Sequence, residues 1–205
     1  MMPIIDFILH IDKYISQLID YFGIFSYLIL FLIIFVETGL VITPFLPGDS
    51  LLFVVGSFAA TDSFNIFIVT GLLMLAAILG DSLNYFIGSY FGDKMMKRKI
   101  IKEEYIQRTN KFYKDHGGKT IILARFTPIV RTFAPFVAGL GGMEYRKFFF
   151  YNVVGGVVWV GLFVLGGYFF GSLPIIKDNF GLFVVLIILT SAIPWIVNVF
   201  TGKKQ

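Results

Sequence analysis

Four ionisable side chains sit where apolar sequence ordinarily excludes them. Glu37 and Asp49 fall in residues 37–57 together with Pro44 and Pro47, and Arg125 and Arg131 fall in residues 123–142 together with Pro128 and Pro135. A charge at bilayer depth is expensive and marks a functional position by default. Proline removes an amide donor and bends or ends a helix, and backbone groups freed at that depth must face protein or a water-filled cavity. Each stretch is therefore expected to be a broken, re-entrant segment lining a polar site, with Gly48 and Gly139 permitting the turns.

The chemistry open to these residues follows from their types. Arginine is permanently charged and presents a planar fork of donors that suits phosphate. Arg125 and Arg131 are six residues apart, which is not one face of an unbroken helix, but Pro128 between them lets them converge. Glu37 and Asp49 repel an anion when ionised. As proton carriers they are better suited, because burial raises a carboxylate pKa and a nearby arginine lowers it. The alternative for all four is structural: static ion pairs that brace the two segments. Asp81 and Asn84 lie in a third apolar run and are assigned as supporting polar groups for packing.

The elements that must position these residues are membrane helices. The chain has 205 residues, 57% hydrophobic and 18% aromatic, and only 15% charged, against about 25% charged in a soluble domain. That composition predicts an all-α polytopic membrane protein. The net charge of +4 is concentrated in one loop, where topology accounts for it, so no nucleic acid partner is expected. The absence of cysteine excludes disulfides, thiolate chemistry and iron–sulfur ligation. His10 and His116 are too few and too peripheral for a zinc cluster, so no metal and no cofactor is expected. The first residues lack a signal-peptide pattern.

Along the chain, residues 1–22 read as an amphipathic interfacial helix, residues 23–200 as the membrane domain, and residues 201–205 as a cytoplasmic tail. The membrane domain divides into a first half at 23–92, a basic cytoplasmic linker at 93–119 and a second half at 120–200. Full spans are expected at 24–42, 66–91, 148–170 and 180–200. Gly80, Asn84 and Gly88 recur at helical spacing and predict a close helix contact. With four spans and two same-side hairpins, the linker, Arg146, Lys147, Lys203 and Lys204 can all be cytoplasmic, as can both termini. The two hairpins are then opposed and hint at an inverted repeat, a plan in which broken segments meet near the midplane.

The sequence resembles the DedA family of bacterial membrane proteins, whose shared region is also called the SNARE-associated or VTT domain. The resemblance rests on Glu37, FLPGDSLL at 45–52, GDSLNYFIG at 80–88, ARFTPIVRTFAPFVAG at 124–139, and Asn152 and Trp159. It implies a multi-pass transporter of the bacterial cytoplasmic membrane that returns undecaprenyl phosphate across it, coupled to the proton-motive force, with Glu37, Asp49, Arg125 and Arg131 as the residues on which the family depends. The implied partners are protons and membrane lipids, either a polyprenyl phosphate or an anionic phospholipid, and a homo-oligomer is left open. Alternatives are a phospholipid flippase or scramblase and a proton-coupled small-ion or drug antiporter. An enzyme is not expected, because neither histidine lies near the arginines and no cysteine is available.

Overall fold

The computed structural model describes residues 11–40, 48–97 and 117–171, with residues 173, 176, 181, 183 and 186. The expectations for His10, Pro44, Pro47, His116, most of the basic linker, most of the last span and the tail lie outside the described residues.

Seven helices are described, and they are named here in chain order. Helix α1, Ile11–Phe22, turns Ile15 inward and leaves Tyr14 and Tyr21 exposed. It ends at Gly23, whose φ of +50° favours a residue without Cβ. The Gly23 amide bonds the Ile19 carbonyl at 2.8 Å, and the Ser26 hydroxyl donates to the carbonyls of Gly23 and Leu18. Helix α2, Phe25–Gly39, is uncharged until Glu37. Helix α3, Gly48–Ala59, carries Asp49 in its first turn, where the helix dipole favours a negative charge.

Asn65 caps helix α4, Ile66–Lys97, its side-chain oxygen accepting from the amides of Phe67 and Ile68. The Asn65 amide donates to the Tyr27 hydroxyl at 2.8 Å. Helix α5, Lys119–Ala124, and helix α6, Pro128–Leu140, are separated by a break. Thr127 in that break is extended, the conformation favoured by a residue before proline, and Pro128 takes the first helical position, where its missing amide costs nothing. Helix α6 closes on Gly142 at φ +71°, with the Met143 amide bonding the Ala138 carbonyl at 3.0 Å. Helix α7 is Tyr145–Phe170.

The segment Ile66–Phe91 of α4 and the whole of α7 are long and apolar enough to cross a membrane. Their outward faces carry Phe67, Leu75, Phe150, Leu162 and Phe169, all at least half exposed, while Asp81, Asn84 and Asn152 are buried. Apolar outside and polar inside is the inverse of a soluble domain and fits hydrocarbon as solvent.

Several boundaries differ from the sequence reading. Helix α4 continues past Phe91 to Lys97, and α7 starts at Tyr145, so exposed Arg146 and Lys147 ride in its first turn. Apolar periodicity marks where lipid ends, and a helix continues into water as long as its backbone bonds are made. Pro135 does not break its segment. It lies inside α6, as prolines do in membranes where neighbours compensate the lost amide. Gly139 is helical as well and serves contact rather than turning, since a Cβ there would meet the Tyr85 carbonyl. Gly48 is the first residue of α3.

By contact, the chain divides into two compact units. The first holds Met1–Phe31, Leu46–Leu73 and Val160–Gln205, and the second Leu32–Phe45 and Met74–Trp159. Within the first, α3 packs on the C-terminal part of α7, with Gly56 against the Val164 carbonyl and Gly167 against the Phe53 carbonyl. Leu52, Val54, Val55 and Val164 fill that interior. Within the second, Tyr85, Ile121, Ala138 and Phe148 form a core cluster.

Candidate functional site

The second unit gathers the charged residues, and the middle of α4 is its scaffold. Gly80 lets α4 approach α2, where a Cβ would meet Thr38 and the Phe35 carbonyl 2.8 Å away, and Gly88 lets it approach the backbone of α6 at Phe136. Asn84 sits between these contacts, fully buried, and donates to the carbonyls of Thr38 at 3.3 Å and Thr132 at 2.7 Å. One amide thus ties the end of α2 and the first turns of α6 to α4. The Tyr85 hydroxyl donates to the Met143 carbonyl, fixing the far end of α6.

The two arginines flank the proline break, Arg125 immediately after α5 and Arg131 in the first turns of α6. Arg125 is buried and pairs with Asp81 at 2.6 Å. Its guanidinium also donates to the Asn152 side-chain oxygen. Asn152 is in turn held by the Ile78 carbonyl at 3.0 Å and the Ser82 hydroxyl at 3.3 Å. Gly155 and Gly156 of α7 make room for the Arg125 side chain, and a Cβ at Gly155 would stand 3.0 Å from the Arg125 Cδ. Arg131 pairs with Glu37, whose side chain is 1% exposed.

Both guanidiniums lie over the indole of Trp159, with Cζ 5.8 Å from the ring centroid for Arg125 and 5.3 Å for Arg131. The electron-rich ring face attracts each cation, so one side chain holds two like charges together. Thr38, Asp81, Arg125, Arg131, Thr132 and Trp159 line a cavity of about 10 Å³, room for about one water molecule. The site carries two cations and two anions in pairs, and its cavity is too small for a phosphate.

The structure therefore brings together Glu37, Arg125 and Arg131 with Asp81 and Asn84. Asp49 belongs to the first unit, buried in the first turn of α3. Sequence reasoning treated Asp81 as a packing group, whereas it is a counter-ion of Arg125. It also assigned no role to Asn152, Ser82, Thr38, Thr132 or Trp159. A lone amide at 152 within an apolar, glycine-rich run was the available signal for the first of these. Among the described residues, no group of three or more His, Cys, Asp or Glu is placed to hold a metal ion.

Residues 46–169 match the VTT domain. Protein DedA of Escherichia coli K12 is 52% identical over 206 residues, covering 98% of this chain and 94% of that protein. The chain belongs to the DedA/VTT family. It is an integral membrane protein, as the composition and the apolar exterior require. More distant DedA/VTT relatives include an uncharacterized membrane protein of Mycobacterium tuberculosis, 39% identical over 82% of this chain and 75% of its own length. Inner membrane protein YqjA of Escherichia coli K12 is 35% identical over 73% of this chain and 69% of its own length. No solved structure matches the chain.

Proposed function

We propose that this DedA/VTT protein moves a lipid phosphate, foremost undecaprenyl phosphate, across the bacterial cytoplasmic membrane at the expense of the proton gradient. The observation that carries the reading is the pair of arginines over one indole, each matched by its own carboxylate. A permanent charge inside a membrane is costly unless paired. A structural brace needs one ion pair, not two cations gathered on one ring beside a cavity. The inner membrane naming of one relative supports the location.

Without a bound anion the arginines are neutralised by Glu37 and Asp81. With room for about one water, the phosphate enters by taking a carboxylate's place at an arginine. The displaced carboxylate is buried without its partner, and a proton from the aqueous phase neutralises it. Release of the phosphate returns the carboxylate to the arginine and frees the proton. Glu37 is the leading proton carrier, with Asp49 as a further candidate. Asn84 and Asp81 hold the helices that present the arginines.

The same reading takes the topology to be four spans and two opposed re-entrant hairpins in an inverted repeat, with both termini cytoplasmic. Its test is lipid movement in proteoliposomes. Undecaprenyl phosphate is placed in one leaflet, a pH gradient is imposed, and wild type is compared with Arg131→Ala and Glu37→Gln. Gradient-dependent movement lost in both variants is the expected result. Equal movement in all three overturns the proposal.

A further inference from the structure

We infer that Asp81 is the second proton-accepting carboxylate of this site, and that the charge of the head group sets how many protons are taken up. A phosphomonoester dianion brings in two protons and a phosphodiester monoanion brings in one. The inference rests on the lipid-phosphate reading and deepens it.

The argument is one of charge balance. Among the described residues of the second unit, two cations and two anions form two pairs, Arg125 with Asp81 and Arg131 with Glu37. Arginine does not give up its proton, so both positive charges are permanent. A buried charge left uncompensated is far more costly than a paired one. A dianion bound between the guanidiniums satisfies both arginines, and two carboxylates are then surplus. Each must become neutral by taking a proton from water. A monoanion satisfies one arginine and leaves one carboxylate surplus.

Several described groups share the surroundings of Asp81. Arg125 faces it from the end of α5, while Thr38 of α2, Arg131 and Thr132 of α6 and Trp159 of α7 share its cavity. Asn152 of α7 is already committed, accepting from Arg125 and donating to the Ile78 carbonyl and Ser82. Among the described residues, the carboxylates paired with the two arginines are Asp81 and Glu37. Asp81 lines the cavity and is 2.6 Å from its arginine, so it is displaced by any anion that claims Arg125.

The experiment measures proton uptake on binding. Detergent-solubilised full-length protein in weak buffer at about pH 8, where the second phosphate proton is off, is titrated with farnesyl phosphate or with dioctanoyl phosphatidylglycerol while a pH dye is read. Binding is followed separately by Trp159 fluorescence in a Trp195→Phe background. Wild type is expected to take up twice as many protons with the monoester as with the phosphodiester. Glu37→Gln and Asp81→Asn are each expected to halve the monoester value.

Equal uptake for the two lipids in wild type sinks the inference without any variant, which matters because Asp81→Asn strands a buried arginine. An unchanged value in folded Asp81→Asn sinks it as well. Binding with no proton uptake removes this inference and leaves the lipid-phosphate reading standing. Absence of binding by either probe removes both.

Discussion

The two units share parts of α2, α4 and α7, yet close helix contacts serve different ends in them. In the first, α3 meets α7 through Gly56 and Gly167, and the spaces around them are filled by Leu52, Val54, Val55 and Val164. In the second, α2, α4 and α7 contribute Glu37, Asp81, Asn152 and Trp159 to an interior that also holds two arginines. The glycines do the same work in both, letting backbones approach to where side chains of one helix meet carbonyls of the next. What differs is what the close approach serves. In the first unit it maximises contact between apolar surfaces, the main source of helix association where lipid is as apolar as leucine. In the second it brings donors and acceptors near enough to satisfy charges that hydrocarbon cannot solvate.

That contrast can be broken by substitution. Arg125→Ala is expected to have the largest effect, because Asp81 is left buried without its cation. Loss of one partner of a buried pair costs about 3–5 kcal/mol. The folded fraction in detergent and the melting temperature should both fall. A stability loss under 1 kcal/mol would mean that the pair is solvated and the contrast is false. Gly167→Val comes next, at about 1–3 kcal/mol for an overpacked contact, since its Cβ would meet the Phe53 carbonyl. It should lower the melting temperature while farnesyl phosphate affinity per folded molecule stays at the wild-type level. Lost affinity in stable Gly167→Val protein would show that the first unit also shapes the site.

Asn84→Ala should cost about 1–2 kcal/mol through two carbonyls stripped of their donor. It should also weaken transport, because the end of α2 that carries Glu37 loses its tie to α4. Trp159→Phe is the mildest, about 0.5–1 kcal/mol of cation–π attraction. It should raise the apparent Kd for farnesyl phosphate severalfold with little change in melting temperature, whereas a fall in melting temperature without a change in Kd would make the indole a packing group.

Much of the site was legible because hydrocarbon makes charge conspicuous. Glu37, Arg125 and Arg131 stand out in any apolar run, and Pro128 between the arginines announces the break that brings them over one ring. Pro135 and Gly139 misled for a common reason. A residue type reports what the backbone can tolerate, and only its neighbours decide whether that freedom is used for a turn or for contact. The pairing of Asp81 was hidden in the same way. Asp81 was visible in sequence, but its partner is set by which face of α4 meets the end of α5, and Asn152 on α7 completes the arrangement.

By itself, the sequence determined the solvent, the helical class and the inventory of charges, since each follows from composition and periodicity. It determined the break at Pro128, because proline restricts its own backbone and that of the residue before it. The tertiary structure alone decided which carboxylate neutralises which arginine, that one tryptophan serves both cations, and that the cavity beside them is small. Those depend on distances between helices far apart in the chain, and a buried charge is stabilised by what lies within a few ångströms of it, whatever its place in the sequence.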